Sequence, residues 1–351
     1  MEDSDQMVDS SQLLLSTLRS RMDIASFVNR IDVAVHPTNG ASEVSPMSLL
    51  APSLSLSLAL GLASNVQEIC LRPTPSFTFI ARTILILRPT LRALHLFTSE
   101  DYDNVLPSEM CAELLRGLPN LQKLSTDLQV IIDDQPHREP VTFQLTDLDF
   151  KTPDDGRGNP GPYTFNYITS SSTHSLRHLK ITGPYLPSGR GAETAQDLEP
   201  FRSLQTLEIS AGYPGMHGYN EDMTEARLDT EIAQVNYIID ELISTPATVQ
   251  HIQISDYDGD DAEFDIRGEI IDKEDLLWII PDSVLTVKLC LYQLQATTLL
   301  NVLTSEHSAT KKWTHLEVVT EPCFDEIEQE KILEQCSKRG ITFCCRGQGY
   351  R

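Results

Sequence analysis

Three aspartates stand at alternate positions, in a pattern that could bind a cation: Asp256, Asp258 and Asp260. An EF-hand calcium loop begins in this way, but it also needs glycine in the sixth place and glutamate in the twelfth. Asp261 and Arg267 occupy those places, so an EF-hand is excluded. The acidic segment 256–275 holds ten acidic and two basic residues, which fits a solvated loop or a docking surface for a basic partner.

Four of the seven cysteines lie near the C-terminus: Cys323, Cys336, Cys344 and Cys345. Zinc sites favour C-x-x-C pairs, which place two thiolates on one turn. The spacings here are 13, 8 and 1 residues and contain no such pair. Reduced thiols are the simpler interpretation, and we predict that the protein holds no metal and no cofactor.

A glycine motif, Gly156-x-Gly158-x-x-Gly161, matches the dinucleotide-binding fingerprint by letter. Two prolines stiffen this turn. A dinucleotide site also needs an Asp or Glu that binds the ribose at the end of a second strand, about 20 residues later, and none is present. A loop exposed to solvent is therefore the better interpretation. The sequence has no G-x-S-x-G, P-loop or H-E-x-x-H motif. We therefore predict that the protein is not an enzyme. The alternative is a metal-dependent or enzymatic protein that uses the acidic segment or the C-terminal cysteines.

The charge balance restricts the class of partner. The 351 residues include 27 Lys and Arg against 51 Asp and Glu, a net charge of −24 with a pI near 4.6. Phosphate backbones and anionic lipids repel so acidic a protein, so nucleic acid and membrane surfaces are poor partners. With 40% hydrophobic and 22% charged residues, the chain can fold.

The compartment follows from the N-terminus and the cysteines. Met1 to Asp5 is acidic, where a secretory or transit signal is basic. The longest charge-free stretch, Ser45 to Val66, contains prolines and serines and is too polar to span a membrane. Seven cysteines without regular spacing indicate reduced thiols. We predict a cytoplasmic or nuclear monomer whose partner is another protein.

One short pattern, apolar-x-x-apolar-x-apolar, recurs along the chain. Clear copies begin at seven positions: Val28, Val66, Leu91, Leu145, Leu176, Leu204 and Val249. Looser copies begin at Leu121, Val284 and Trp313. Successive copies start 24–45 residues apart, and the shorter intervals approach the 20–29-residue period of leucine-rich repeats.

Helical periodicity fills several of the intervals. Apolar residues between Leu228 and Leu242 step by four and three positions, and those between Cys111 and Leu118 line a shorter face. Leu54 to Leu62 alternates like a strand, but its place in the repeat favours a helix. Strand, loop and amphipathic helix in alternation predict an α/β fold. The expected form is an irregular leucine-rich-repeat-like solenoid, or horseshoe, with a parallel sheet on the concave side and helices on the convex side.

We predict one domain over residues 1–351. Within it, residues 1–10 form a disordered tail, residues 12–33 the first repeat or cap, and residues 313–351 the C-terminal repeat or cap. The helix from Gln12 to Arg21 would supply that first cap.

The intervening positions of each copy point away from the core of such a solenoid, onto its concave surface. Basic and imidazole side chains occupy many of them: Arg92, His95, Lys123, Arg177, His178, Lys180, His251 and His315. We predict a mildly basic strip that, together with the long loops, binds an acidic or polar segment of another protein. His251 and His315 would lie two strand spacings apart, about 10 Å, too far to share a metal ion.

The opening helix followed by Asp23 to Ile31, together with Leu118-Pro119-Asn120-Leu121 and Ser175 to Ile181, resembles the repeats of fungal F-box/leucine-rich-repeat proteins. The resemblance implies an intracellular adaptor or substrate receptor. No copy has the Asn or Cys that forms the side-chain ladder of regular repeats. The sequence also shows no counterpart of the F-box. We therefore expect an irregular array that forms no stable complex with the Skp-type adaptor.

Small-angle scattering tests the solenoid prediction. Because repeats contact mainly their neighbours, the molecule should be an elongated arc with a radius of gyration well above that of a compact globule. A value near about 20 Å, the compact-globule scaling for this length, would contradict the prediction.

Overall fold

The computed structural model describes residues 10–34, 58–72, 84–85, 87, 89–96, 108–126, 139–151, 161–183, 197–210, 238–255, 274–291, 294–306, 310–320 and 323–347. The predicted tail, apart from Ser10, and most of the acidic segment lie outside these ranges, as does the glycine motif before Gly161. Two compact units divide the chain: unit one holds 1–146 and 166–172, and unit two holds 147–165 and 173–351. Since repeats contact mainly their neighbours, such a division can fall within one array, and the single-domain prediction stays a prediction.

Parallel strands form the core of both units. Unit one contains β1 (Arg30–Ala34), β2 (Glu68–Arg72), β3 (Ala93–Leu96) and β4 (Lys123–Thr126), which pair in chain order. Unit two contains β5 (Asp147–Lys151), β6 (His178–Thr182), β7 (Thr206–Ser210), β8 (His251–Ser255), β9 (Thr286–Cys290), β10 (His315–Thr320) and β11 (Thr342–Gly347), also paired in chain order. Parallel neighbours in chain order require a crossover between strands.

Helices occupy several of these crossovers. Those with described limits are α1 (Ser10–Ser20), α2 (Met22–Ala25), α3 (Ser108–Arg116), α4 (Gly161–Thr169), α5 (Glu274–Ile279), α6 (Ala296–Thr304) and α7 (Glu326–Lys338). Residues 58–62 and 238–243 are also helical, which confirms the helix predicted at Leu54 to Leu62, as far as that stretch is described. The α/β prediction is confirmed. None of the described helices is long and apolar enough to cross a membrane.

All ten predicted copies of the pattern contain a strand. If the copy at Leu176 is numbered from one to six, its apolar positions are one, four and six, and Leu176, Leu179 and Ile181 are buried. An alternating strand with one buried face has this burial. Strand β11 was not predicted because Gly340, with a φ of 70°, occupies its position one and the apolar pattern is lost there.

A hydrogen-bonded turn precedes the strand in most repeats. The N–H at position one donates to the carbonyl three residues earlier, as in Leu121 to Leu118 and Leu204 to Phe201. The carbonyl at position two then accepts two N–H groups of the following repeat, at positions two and three. Seven carbonyls do this at 2.8–3.2 Å: those of Asn29, Gln67, Arg92, Arg177, Gln205, Gln250 and Leu285. This backbone ladder sets the register of each strand on the next.

A side-chain ladder also exists, at a position that the sequence analysis did not consider. The residue just before position one donates to a carbonyl of the preceding repeat, as Asn65 does to Ser26 at 2.8 Å and Asn120 to Pro89 at 3.1 Å. Ser203 makes the equivalent bond to His174 at 2.8 Å. These bonds lie in the approach turn, whereas regular leucine-rich repeats place their Asn or Cys after the strand.

One lysine of unit two is held inside the protein. The side chain of Lys311 is 7% exposed, and its ammonium donates to the carbonyls of Trp278 (2.9 Å) and Ile280 at the end of α5. The Asp282 carboxylate lies 3.3 Å away. A cation at a helix C-terminus is favourable, and these bonds satisfy carbonyls that the helix leaves unpaired.

Replacing this lysine tests the arrangement. Lys311→Met keeps the aliphatic stem but removes the donor, so two carbonyls lose their partner, and we expect a loss of about 2–4 kcal/mol of unfolding free energy. Urea unfolding followed by circular dichroism measures the change. Lys312→Met, at the exposed neighbouring position, is the matched control and should change stability by less than about 0.5 kcal/mol. Equal effects of the two substitutions would contradict the structural role of Lys311.

Candidate functional site

The predicted strip residues are all at least partly exposed. Arg92 and Arg177 occupy position two, and His95 and Lys180 occupy position five. Position three holds Lys123, His178, His251 and His315, all exposed. Their role in binding stays a prediction. Three of the eight lie in unit one and five in unit two.

The register of unit two brings position three of seven strands into one row. This His–Thr row reads Asp147, His178, Thr206, His251, Thr286, His315 and Thr342. From His178 onward, imidazoles alternate with threonine hydroxyls at a strand spacing of about 4.8 Å. Thr286 lies between His251 and His315, so these two histidines are two strand spacings apart.

Position five forms a second row beside the first. This mixed-charge row reads Asp149, Lys180, Glu208, Gln253, Lys288, Glu317 and Cys344. This row is of mixed charge rather than basic, since the register places an acid on each side of Lys180. The sequence analysis selected basic side chains alone and so missed the carboxylates that occupy equivalent positions of neighbouring repeats.

Exposure falls along strands β6 and β8 of unit two. His178 is exposed, Lys180 is intermediate and Thr182 is 2% exposed, although all three belong to the same face of β6. Strand β8 repeats this trend, from exposed His251 to Ser255 at 8%. On these two strands the accessible part of the face is therefore the half near the amino end, where the His–Thr row lies.

In unit one, a chain of polar contacts links side chains of four strands. The Ser125 hydroxyl lies 2.9 Å from His95 Nδ1, and His95 Nε2 lies 3.4 Å from Glu68 Oε1. The Arg30 guanidinium holds the same carboxylate oxygen at 2.9 Å and lies 3.5 Å from Asp32. We call Arg30, Glu68, His95 and Ser125 the Ser125 relay.

Of this relay, only His95 is among the residues that the sequence pattern predicts for binding. Glu68 stands at position three of β2 and Ser125 at position five of β4, while His95 occupies position five of β3 between them. Aligning the repeats and comparing equivalent positions would have selected these residues as neighbours. Searching for local motifs could not, because about 30 residues separate each member from the next.

The C-terminal cysteines occupy different environments. Cys323 and Cys344 are exposed, whereas Cys336 is buried. Burial raises the pKa of Cys336 to about 11, and burial together with the neighbouring Cys323 and Cys344 raises the pKa of Cys345. Arg346 donates to Cys344 and lies 3.7 Å from Glu317, contacts that raise the pKa of the Arg346 guanidinium.

Within the described ranges, no group of three or more His, Cys, Asp or Glu side chains is placed to hold a metal ion. The aspartates at 256, 258 and 260 lie outside those ranges, so the structure does not test them as ligands.

Comparison with known proteins adds no family: no protein-family model matches the chain, and no curated protein sequence matches it.

Thiol alkylation tests the placement of the cysteines. At pH 8 a pKa of about 11 leaves about one Cys336 in a thousand as the reactive thiolate, and the side chain is also buried. Iodoacetamide should therefore modify Cys323 and Cys344 in the native protein well before Cys336, as followed by peptide mass spectrometry. All seven cysteines should react after unfolding in urea. Native-state alkylation of Cys336 at the rate of Cys323 would contradict the structure.

Proposed function

We propose that the protein is an intracellular recognition module that binds another protein through the exposed strand face of unit two. The observation that carries the proposal is the pair of ordered rows at positions three and five. A parallel sheet with one polar, partly exposed face and helical crossovers is compatible with a leucine-rich-repeat-like horseshoe, whose concave face would be this surface. The resemblance to fungal F-box/leucine-rich-repeat proteins supports an adaptor or substrate-receptor role in the cytoplasm or nucleus.

The chemistry of the two rows indicates the kind of partner. Imidazoles and threonine hydroxyls both donate and accept hydrogen bonds, so the His–Thr row suits the amides and carboxylates of a polar protein segment. In the mixed-charge row, Glu208 and Glu317 would repel a uniformly acidic segment. A segment that carries both signs of charge fits better, because each partner charge then meets an opposite charge.

Strand β6 is the strongest anchor point for a partner carboxylate. Arg177 and His178 are exposed and adjacent, and Lys180 follows on the same face. Arginine binds carboxylates through two parallel hydrogen bonds and is enriched among residues that dominate binding energy. We infer that an acidic side chain of the partner lies over this strand.

Replacing the three side chains tests the proposal. The variant Arg177→Ala, His178→Ala, Lys180→Ala should bind its partner with an affinity lower by about tenfold or more, equivalent to about 1.4 kcal/mol of binding free energy. Its thermal unfolding should stay cooperative, because the three side chains are not buried. Affinity capture from cell lysate with quantitative mass spectrometry compares the proteins retained by each form.

The matched control removes two cations elsewhere. Lys331 and Lys338 lie exposed on α7, and their double alanine variant should retain the same proteins as the wild type. A protein lost only by the β6 variant supports the proposal. Identical sets from all three forms would contradict it, and unfolding of the β6 variant would show that the register assigned to Leu176, Leu179 and Ile181 is wrong.

A further inference from the structure

The Ser125 relay has the connectivity of a nucleophile, a base and an orienting acid. A hydroxyl at 2.9 Å from one imidazole nitrogen and a carboxylate at 3.4 Å from the other are the contacts by which serine hydrolases activate serine. We propose that Ser125 is a nucleophile, activated by His95 and Glu68, that accepts the acyl group of a small activated ester. The proposal concerns unit one and is independent of the recognition surface on unit two.

One neutral tautomer of His95 satisfies both contacts at once. If Nε2 carries the proton, the N–H faces the Glu68 carboxylate at 3.4 Å, and Nδ1 is left to accept the hydroxyl proton of Ser125. The carboxylate thereby selects the tautomer in which the imidazole acts as a base toward the serine. Glu68 is a positioning residue in this scheme, since it acts through His95.

Arg30 completes the positioning of the acid. Its guanidinium lies 2.9 Å from the carboxylate oxygen that faces His95. The side chains of Glu68 and His95 are 30% and 26% exposed, so solvent only partly screens the attraction between carboxylate and imidazolium. A fixed carboxylate stabilises the imidazolium that forms when His95 takes the proton.

Lys123 is the basic residue of the strand that carries the reacting hydroxyl. It lies on the same face of β4 as Ser125, two residues earlier, and it pairs in register with Ala93. The methyl side chain of Ala93 takes little room between Glu68 and Lys123 in this row. In the proposed reaction the ammonium group of Lys123 would stabilise the negative charge that develops on a carbonyl oxygen under attack.

The reaction balances as two acyl transfers. Ser125 Oγ forms a bond to the ester carbonyl carbon, and its proton passes to His95 Nδ1. Collapse of the tetrahedral intermediate breaks the bond to the leaving alkoxide, which takes the proton from His95. Water then attacks the acyl-serine while His95 accepts its proton. The bond between the acyl carbon and Ser125 Oγ breaks, Oγ takes that proton back from His95, and a carboxylic acid leaves. No oxidant, metal or cofactor takes part in these steps.

The burial of Ser125 restricts the substrate class. The residue is 8% exposed, so a small acyl or phosphonyl group reaches the hydroxyl more easily than a bulky one. An unhindered acetyl ester and a fluorophosphonate are therefore the appropriate probes.

Labelling of the wild-type chain is the first test. A fluorophosphonate should modify the folded protein at Ser125, as located by peptide mass spectrometry, and prior unfolding in urea should abolish the labelling. p-Nitrophenyl acetate should give a burst of one p-nitrophenol per protein. Absence of labelling, or labelling at other serines alone, would overturn the proposal. This test needs only the wild-type protein.

Variants separate the roles of the relay. Ser125→Ala should abolish labelling, and His95→Asn should slow it by about 100-fold or more, the usual contribution of a general base. Glu68→Gln should slow it by about tenfold. Labelling of Ser125 at an unchanged rate in His95→Asn would overturn the activation mechanism.

A natural control pair exists in unit two. The Ser203 hydroxyl donates to the backbone carbonyl of His174. This serine therefore lies beside a histidine whose ring does not act as its base. Ser203→Ala and His174→Asn should leave labelling at Ser125 unchanged. Thermal unfolding of each variant establishes that it is folded, and loss of labelling in the control variants would count against the proposal.

Discussion

The structure depends on one backbone interaction, the carbonyl at position two of a repeat that accepts two N–H groups from the next. The bond occurs at Asn29 in unit one and again at Leu285 in unit two, so repeats of very different length share it. A slip of one residue would turn every apolar side chain of a strand to the solvent face. The carbonyl and the buried positions one, four and six therefore enforce the same register.

A fixed register turns an irregular chain into a regular surface. The copies begin 24–45 residues apart. Equivalent positions of paired strands are nevertheless neighbours, because the extra residues of the longer repeats lie in the segments between strands. Side chains that are distant in the sequence thereby become neighbours at strand spacing. Both proposed activities depend on this juxtaposition, since neither His178 nor Ser125 belongs to a local motif.

Position five carries different chemistry in the two units. In unit one, His95 and Ser125 bond each other, and the acid and the guanidinium next to them complete a connected set. Such a set holds its members in fixed orientation, which favours reactivity over adaptable binding. In unit two, carboxylates lie on both sides of Lys180 and on one side of Lys288, on a face that is partly open to solvent, which suits contact with a polar partner.

The sequence by itself determined the strands and their inward side chains, because positions one, four and six must be apolar wherever a strand has one buried face. It missed β11, where Gly340 replaces the apolar residue. It also could not assign the charge of the exposed face or the contact between His95 and Ser125. Both depend on which residues of neighbouring repeats lie side by side, and that is decided by hydrogen bonds between strands about 30 residues apart. Only the tertiary structure places them.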